Sequence, residues 1–108
     1  MSRSTHAIFQ SFLNGKSNSN YHSLRTNGTC VWSYYTPIAL RYGNTFIVNT
    51  RKFSRTTSRQ QGLLGSALHN AMIENPSISV IRTEDLSFAL CQLTGGSKND
   101  EYYLLTRG

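Results

Sequence analysis

Apolar residues recur along this chain with two different periods, and the change from one to the other marks out its elements. Ile8, Phe9, Phe12 and Leu13 repeat at three- and four-residue spacing behind Ser4 and Thr5, either of which can cap a helix, and Asn14-Gly15 stops the pattern. The spacing predicts a helix over about residues 5 to 14. Gly15 to Asn20 is small and polar and reads as a loop, with an edge strand starting at Tyr21 to Leu24. Thr26-Asn27-Gly28-Thr29 then carries the Asn-Gly pair of a tight hairpin, and the run Cys30 to Tyr35 after it favours strand. Pro37 interrupts that ladder because proline has no amide hydrogen to give. Ile38 to Tyr42 resumes it, Gly43-Asn44 turns, and Thr45 to Val48 pairs back. These segments predict a three-stranded antiparallel meander.

The helical period returns at Leu63, Leu64, Ala67, Leu68, Ala71 and Met72, with Thr57 or Ser58 as the natural cap and Asn75-Pro76 as the stop. Gly62 and Gly65 each cost a helix about 1 kcal/mol relative to alanine. Their three-residue spacing therefore predicts that another backbone passes close by. Ile78 to Ile81 reads as a short strand, Thr83 to Leu86 as a turn or short capped helix, and Phe88 to Leu93 as a strand. Gly95 to Asp100 reads as a flexible loop and Tyr102 to Thr106 as the last strand. The order predicts one small domain over residues 1–108, of class α+β, with an antiparallel sheet (meander plus carboxy-terminal strands) packed against two helices.

Charge sharpens the picture. Met1 to Ile73 holds eight Lys/Arg and no Asp or Glu, whereas Glu74 to Gly108 holds three basic and five acidic residues, for a formal net charge of +6. A polyanion is the first partner that this imbalance implies. The longest apolar stretches are four or five residues, which predicts neither a signal peptide nor a membrane span. Two cysteines, Cys30 and Cys91, without a secretory signal read as reduced thiols in a cytoplasmic protein.

The densest candidate chemistry is the run Arg51-Lys52-Phe53-Ser54-Arg55-Thr56-Thr57-Ser58-Arg59-Gln60-Gln61. Its cations and hydroxyl and amide side chains feed a helix amino terminus, where free amides and the helix dipole both favour an anion. Arg51, Lys52, Arg55 and Arg59 suit phosphates. Thr57, Ser58 and Gln60 suit orientation and base edges. The same composition also fits a solvated connection in which Thr57 or Ser58 merely caps the helix. Trp32, Tyr34, Tyr35 and Arg41 form a second candidate, a stacking platform with a cation beside it, although one sheet face must also pack on helices.

Catalytic constellations do not emerge. His6, His22 and His69 are scattered, neither cysteine has a partner at metal-ligand spacing, and the adjacent pairs Glu84-Asp85 and Asp100-Glu101 diverge on any element. The expectation is a protein with no metal, no cofactor and no enzymatic activity.

Thr36-Pro37-Ile38-Ala39, then Gly43, Val48-Asn49 and Ser54-x-Thr56-Thr57-Ser58-x-x-Gln61 follow one another in an order that resembles a family of short tailed-bacteriophage accessory proteins. Phe12-Leu13-Asn14-Gly15 and Asn27-Gly28-Thr29 are similar to its opening helix and first turn, so the resemblance covers about residues 8 to 68 and stops before the acidic tail. The family has no settled activity, so no residue role comes with it. It implies a phage protein acting in the cytoplasm of the bacterial host, where such proteins bind nucleic acid or block a host factor. Two functional expectations follow: a non-catalytic module that engages nucleic acid, or a protein-protein inhibitor of a host factor or antiviral defence complex, in the manner of an anti-CRISPR protein. A basic segment opposite a slightly acidic one also permits a homodimer.

Overall fold

The Asn27-Gly28 turn shows how this sequence closes its first hairpin. The computed structural model describes residues 3–21 and 23–95, and in it Asn27 Oδ1 accepts hydrogen bonds from the amides of Thr29 and Cys30, both at 2.9 Å. Thr26 Oγ1 accepts from the Gly28 amide and donates to the Cys30 carbonyl. Gly28 has φ +96°, and a Cβ there would stand 2.6 Å from the Gly15 carbonyl oxygen. Only glycine suits both the conformation and the contact.

Nine elements follow in chain order among the described residues: α1 (Arg3–Leu13), β1 (Ser17–Tyr21), β2 (Leu24–Asn27), β3 (Cys30–Ser33), β4 (Thr36–Tyr42), β5 (Thr45–Asn49), α2 (Arg55–Glu74), β6 (Ser79–Thr83) and α3 (Leu86–Thr94). The fold is α+β, with one six-stranded sheet in sequence order β1 to β6 and three helices. The meander is longer than the sequence pattern predicts: β1 to β5 pair antiparallel throughout. β1 replaces the loop expected at Gly15 to Asn20, because pairing with β2 overrides the weak strand propensity of Ser17, Asn18 and Ser19. Pro37 does not break β4. It pairs with Trp32 while Val31 pairs with Ala39, so Ile38 has no opposite number and forms a bulge. Both Ile38 and Ala39 therefore reach the same core.

The expected all-antiparallel sheet is corrected at β6, which runs parallel to β5 from Thr45↔Ser79 to Asn49↔Thr83. A parallel neighbour needs a crossover long enough to bring the chain back to its starting end, and α2 supplies it. The expected two helices become three. Leu86 to Thr94 is helical where Phe88 to Leu93 reads as a strand: Asp85 Oδ1 accepts from the Phe88 amide at 3.1 Å, and Gly95 at φ 65° closes the other end with its amide on the Cys91 carbonyl. Leu86, Ala89 and Leu90 then share one buried face. The last strand expected at Tyr102 to Thr106, and most of the Gly95 to Asp100 loop, lie outside the described residues.

The sheet has a core on each face. On one, Ile8, Phe9 and Phe12 of α1 and Leu64 and Leu68 of α2 pack on Leu24, Val31, Ile38, Phe46 and Val48, with the Phe12 and Phe46 rings edge to face at 5.4 Å. On the other, α3 packs on Cys30, Trp32, Leu40 and Ile47. Burial on both faces accounts for the unbroken apolar runs of β3 and β5, which half-buried strands would not show. Cys30 and Cys91 form no disulfide, and burial pushes the Cys30 thiol well above its ordinary range despite the Arg25 charge. No helix among the described residues is long and apolar enough to cross a membrane.

The cap that makes α3 a helix can be tested alone. Asp85→Ala is expected to lower stability by about 1 kcal/mol through the orphaned Phe88 amide, read by chemical denaturation. An unchanged midpoint would show that the cap contributes nothing.

Candidate functional site

The amino terminus of α2 is set by Ser54, whose extended backbone (φ −74°, ψ 166°) and Oγ accepting from the Thr57 amide make it the cap. The cap expected at Thr57 or Ser58 is thus corrected by one helical turn, and Arg55 to Ser58 belong to the helix. This shift decides which side chains are available. Thr57 and Gln60 turn inward and are only 3% and 6% exposed, whereas Arg55, Ser58 and Arg59 point to solvent.

Thr57 and Gln60 belong to a buried chain of polar contacts that joins α2 to the sheet. Ser33 Oγ donates to Gln60 Oε1 and lies 2.8 Å from Thr57 Oγ1. Since the single Ser33 hydroxyl proton goes to Gln60, Thr57 must donate to Ser33 and in turn accepts from Ser54 Oγ at 3.1 Å. The Gln60 amide nitrogen donates to the Ser23 hydroxyl and carbonyl. Gln60 therefore fixes α2 to the β2–β3 part of the sheet and is withdrawn from the expected role at base edges. Gln61 does the complementary work outside: its Nε2 donates to the carbonyls of Asn49 and Arg51, at 2.6 and 3.1 Å, and holds the segment that carries Arg51 and Lys52.

Arg51, Lys52, Arg55 and Arg59 are all exposed, and among the described residues none has a hydrogen-bond or ion-pair partner for its side-chain charge. Strand register shows what stands near them. Ser33 pairs with Thr36 and leads into the turn that carries Tyr34 and Tyr35, so this turn lies at the end of the sheet where Ser33 meets α2. Tyr35 is 92% exposed and Tyr34, held at φ 56°, is 48% exposed. The expected aromatic platform is otherwise corrected. Trp32 is 3% exposed because strand alternation turns it toward α3, and the Arg25 guanidinium covers its ring at 4.2 Å. Arg41 pairs with Phe46 at the opposite end of β4 and lies against Gly15, away from the other cations.

A groove of about 1120 Å³ runs beside α2 over the β5 and β6 edge. Lys52 and Ser58 belong to its wall, Gly62, Gly65 and His69 continue it along the helix, and Arg82 of β6 enters from the sheet. Met72 and Val80 give it an apolar floor, backed by the buried Val48 and Leu68. The close backbone crossing expected at Gly62 and Gly65 is corrected here: a Cβ at either would meet nothing within 4 Å. The two glycines widen the groove instead. Arg82 and His69 are additions that no local signal announces, since Arg82 reaches this side only through the parallel register Val48↔Arg82. No group of three or more His, Cys, Asp or Glu that could hold a metal gathers among the described residues. Comparison with protein-family models, curated proteins and solved structures finds no match to the chain.

The division between inward and outward hydroxyls has a measurable consequence. Thr57→Ala orphans buried partners and is expected to cost about 1–3 kcal/mol, whereas Ser58→Ala on the groove wall is expected to stay within about 0.5 kcal/mol of the parent. Thermal melts of the two variants decide it, and equal losses would contradict the inward placement of Thr57.

Proposed function

We propose that the protein is a non-catalytic binding module that engages nucleic acid through the cationic end of its sheet. The observation that carries this reading is the convergence of Arg51, Lys52, Arg55 and Arg59, none with a charge partner among the described residues, beside a turn that exposes two tyrosines. Cations in such an arrangement neutralise phosphates and release counterions, which supplies affinity without sequence reading. Exposed aromatic rings add a surface on which bases stack. Arg82, across the groove, extends the cationic track beyond the loop. The setting implied by the phage resemblance, an accessory protein in the cytoplasm of an infected bacterium, belongs to the same proposal.

The test is a salt titration. Binding to a generic oligonucleotide is expected to weaken with a log-log slope of about −0.7 to −0.9 per phosphate contacted. Changing Arg51, Lys52, Arg55 and Arg59 together to Gln is expected to flatten that slope and remove most of the binding. Each exposed substitution should move stability by no more than about 0.5 kcal/mol. A charge-stripped variant that binds as the parent does would overturn the reading. A nuclease-resistant host protein captured through these four residues would turn it to the inhibitor of a host factor.

A further inference from the structure

We infer that the groove beside α2 receives an unpaired nucleic-acid strand, which makes single-stranded rather than duplex nucleic acid the partner; this rests on the function proposed above. The groove, about 1120 Å³ in volume, is lined along α2 from Ser58 to Met72, several helical turns. It is also continuous with the cationic end of the sheet, because Lys52 and Ser58 line its wall. A strand leaving the Arg55 and Arg59 side therefore has a path along the helix.

The chemistry of the walls selects the form of the strand. Met72 and Val80, backed by the buried Val48 and Leu68, offer an apolar floor between two cations, Lys52 and Arg82. An unpaired base can lay its face on such a floor while its phosphate meets a cation. In a duplex the faces are stacked on one another and only the edges reach the protein, so the apolar floor would gain nothing. Gly62 and Gly65 present bare helix backbone with open space where side chains would stand, which lets a sugar-phosphate chain approach closely. Tyr34, Tyr35 and Phe53, all exposed at the same end, continue the stacking surface beyond the groove.

The experiment compares fluorescence anisotropy of labelled oligothymidylate, oligouridylate and a mixed-sequence duplex, each about 20 nucleotides long. Both single strands, or one of them, are expected to bind about tenfold more tightly than the duplex; a preference between the two reports whether the 2′-hydroxyl is read. Gly62→Leu with Gly65→Leu fills the groove from a helix face that has room for the new side chains. It is expected to weaken single-strand binding about tenfold while the melting temperature holds and the weaker duplex binding by the cationic loop persists. Arg82→Glu approaches from the opposite wall and carries the test alone if the glycine variant fails to fold. Equal binding of single strand and duplex, unaltered by either change, would overturn the groove inference and leave the cationic loop as the whole interface. Absence of binding to all three probes would overturn the nucleic-acid reading itself, and this inference with it.

Discussion

The buried contacts among Ser33, Thr57, Gln60 and Ser23 fix the rotation of α2 about its own axis, and the character of the exposed surface follows from that angle. A turn of one residue, about 100°, would carry Ser58 or Arg59 into the sheet in place of Thr57 or Gln60. In the low dielectric of a protein interior an unmatched polar group costs about 1–3 kcal/mol and a charge far more, so alternative rotations are strongly disfavoured. With the angle set, Arg55 and Arg59 fall four residues apart on the outer face, and Ser58, Gly62 and Gly65 line the groove. Ser33 of that cluster ends β3 and leads into the turn that exposes Tyr34 and Tyr35, so one polar cluster positions both the cations and the aromatic rings.

The electrostatic arrangement at this end works against the folded chain standing alone. Residues 1–73 contain no carboxylate, and the first turn of α2 has no acidic residue where the helix dipole would favour one. Arg55 begins the helix instead, and a cation in the first turn opposes the dipole by about 0.3–1 kcal/mol. Repulsion among Arg51, Lys52, Arg55 and Arg59 adds to it. A bound anion would relieve both terms together, which is why an arrangement unfavourable in isolation supports a binding surface over a solvated connection.

Most of the fold was legible because it is written in local patterns: the Asn27-Gly28 hairpin, the meander from Cys30 to Val48, the two long helices. α3 is not legible as a helix although its caps, Asp85 and Gly95, bracket it in the sequence; the short apolar run between them suits a strand equally well, and burial on a second sheet face resolves the ambiguity. That missing helix also explains the misplacement of Trp32, since a sheet covered on one side only would have left its ring in solvent. The four cations of residues 51 to 59 were legible from composition. Thr57 and Gln60 read as surface residues because a cap at Thr57 or Ser58 leaves the first turn of α2 in the loop, whereas the cap at Ser54 makes that turn helical and gives it a face that packs on the sheet. Arg82 could not have been found locally, because its position depends on the parallel register between β5 and β6.

Gly62 and Gly65 break a local rule on the same surface as the cations, and for an unrelated physical reason. Each lies in the interior of a twenty-residue helix, where glycine costs about 1 kcal/mol relative to alanine. Steric need is the usual compensation, either a positive φ or a neighbour too close for a side chain. Neither glycine has one: their φ values are ordinary and the space beside them is open. Alanine at either position would stabilise the helix without disturbing the packing. Two unfavourable features, one electrostatic and one conformational, therefore converge on the same flank of α2. Stability alone would remove both, so both support the binding surface proposed above, the cations on the outer face of α2 and the glycines on the wall of the groove between α2 and β6.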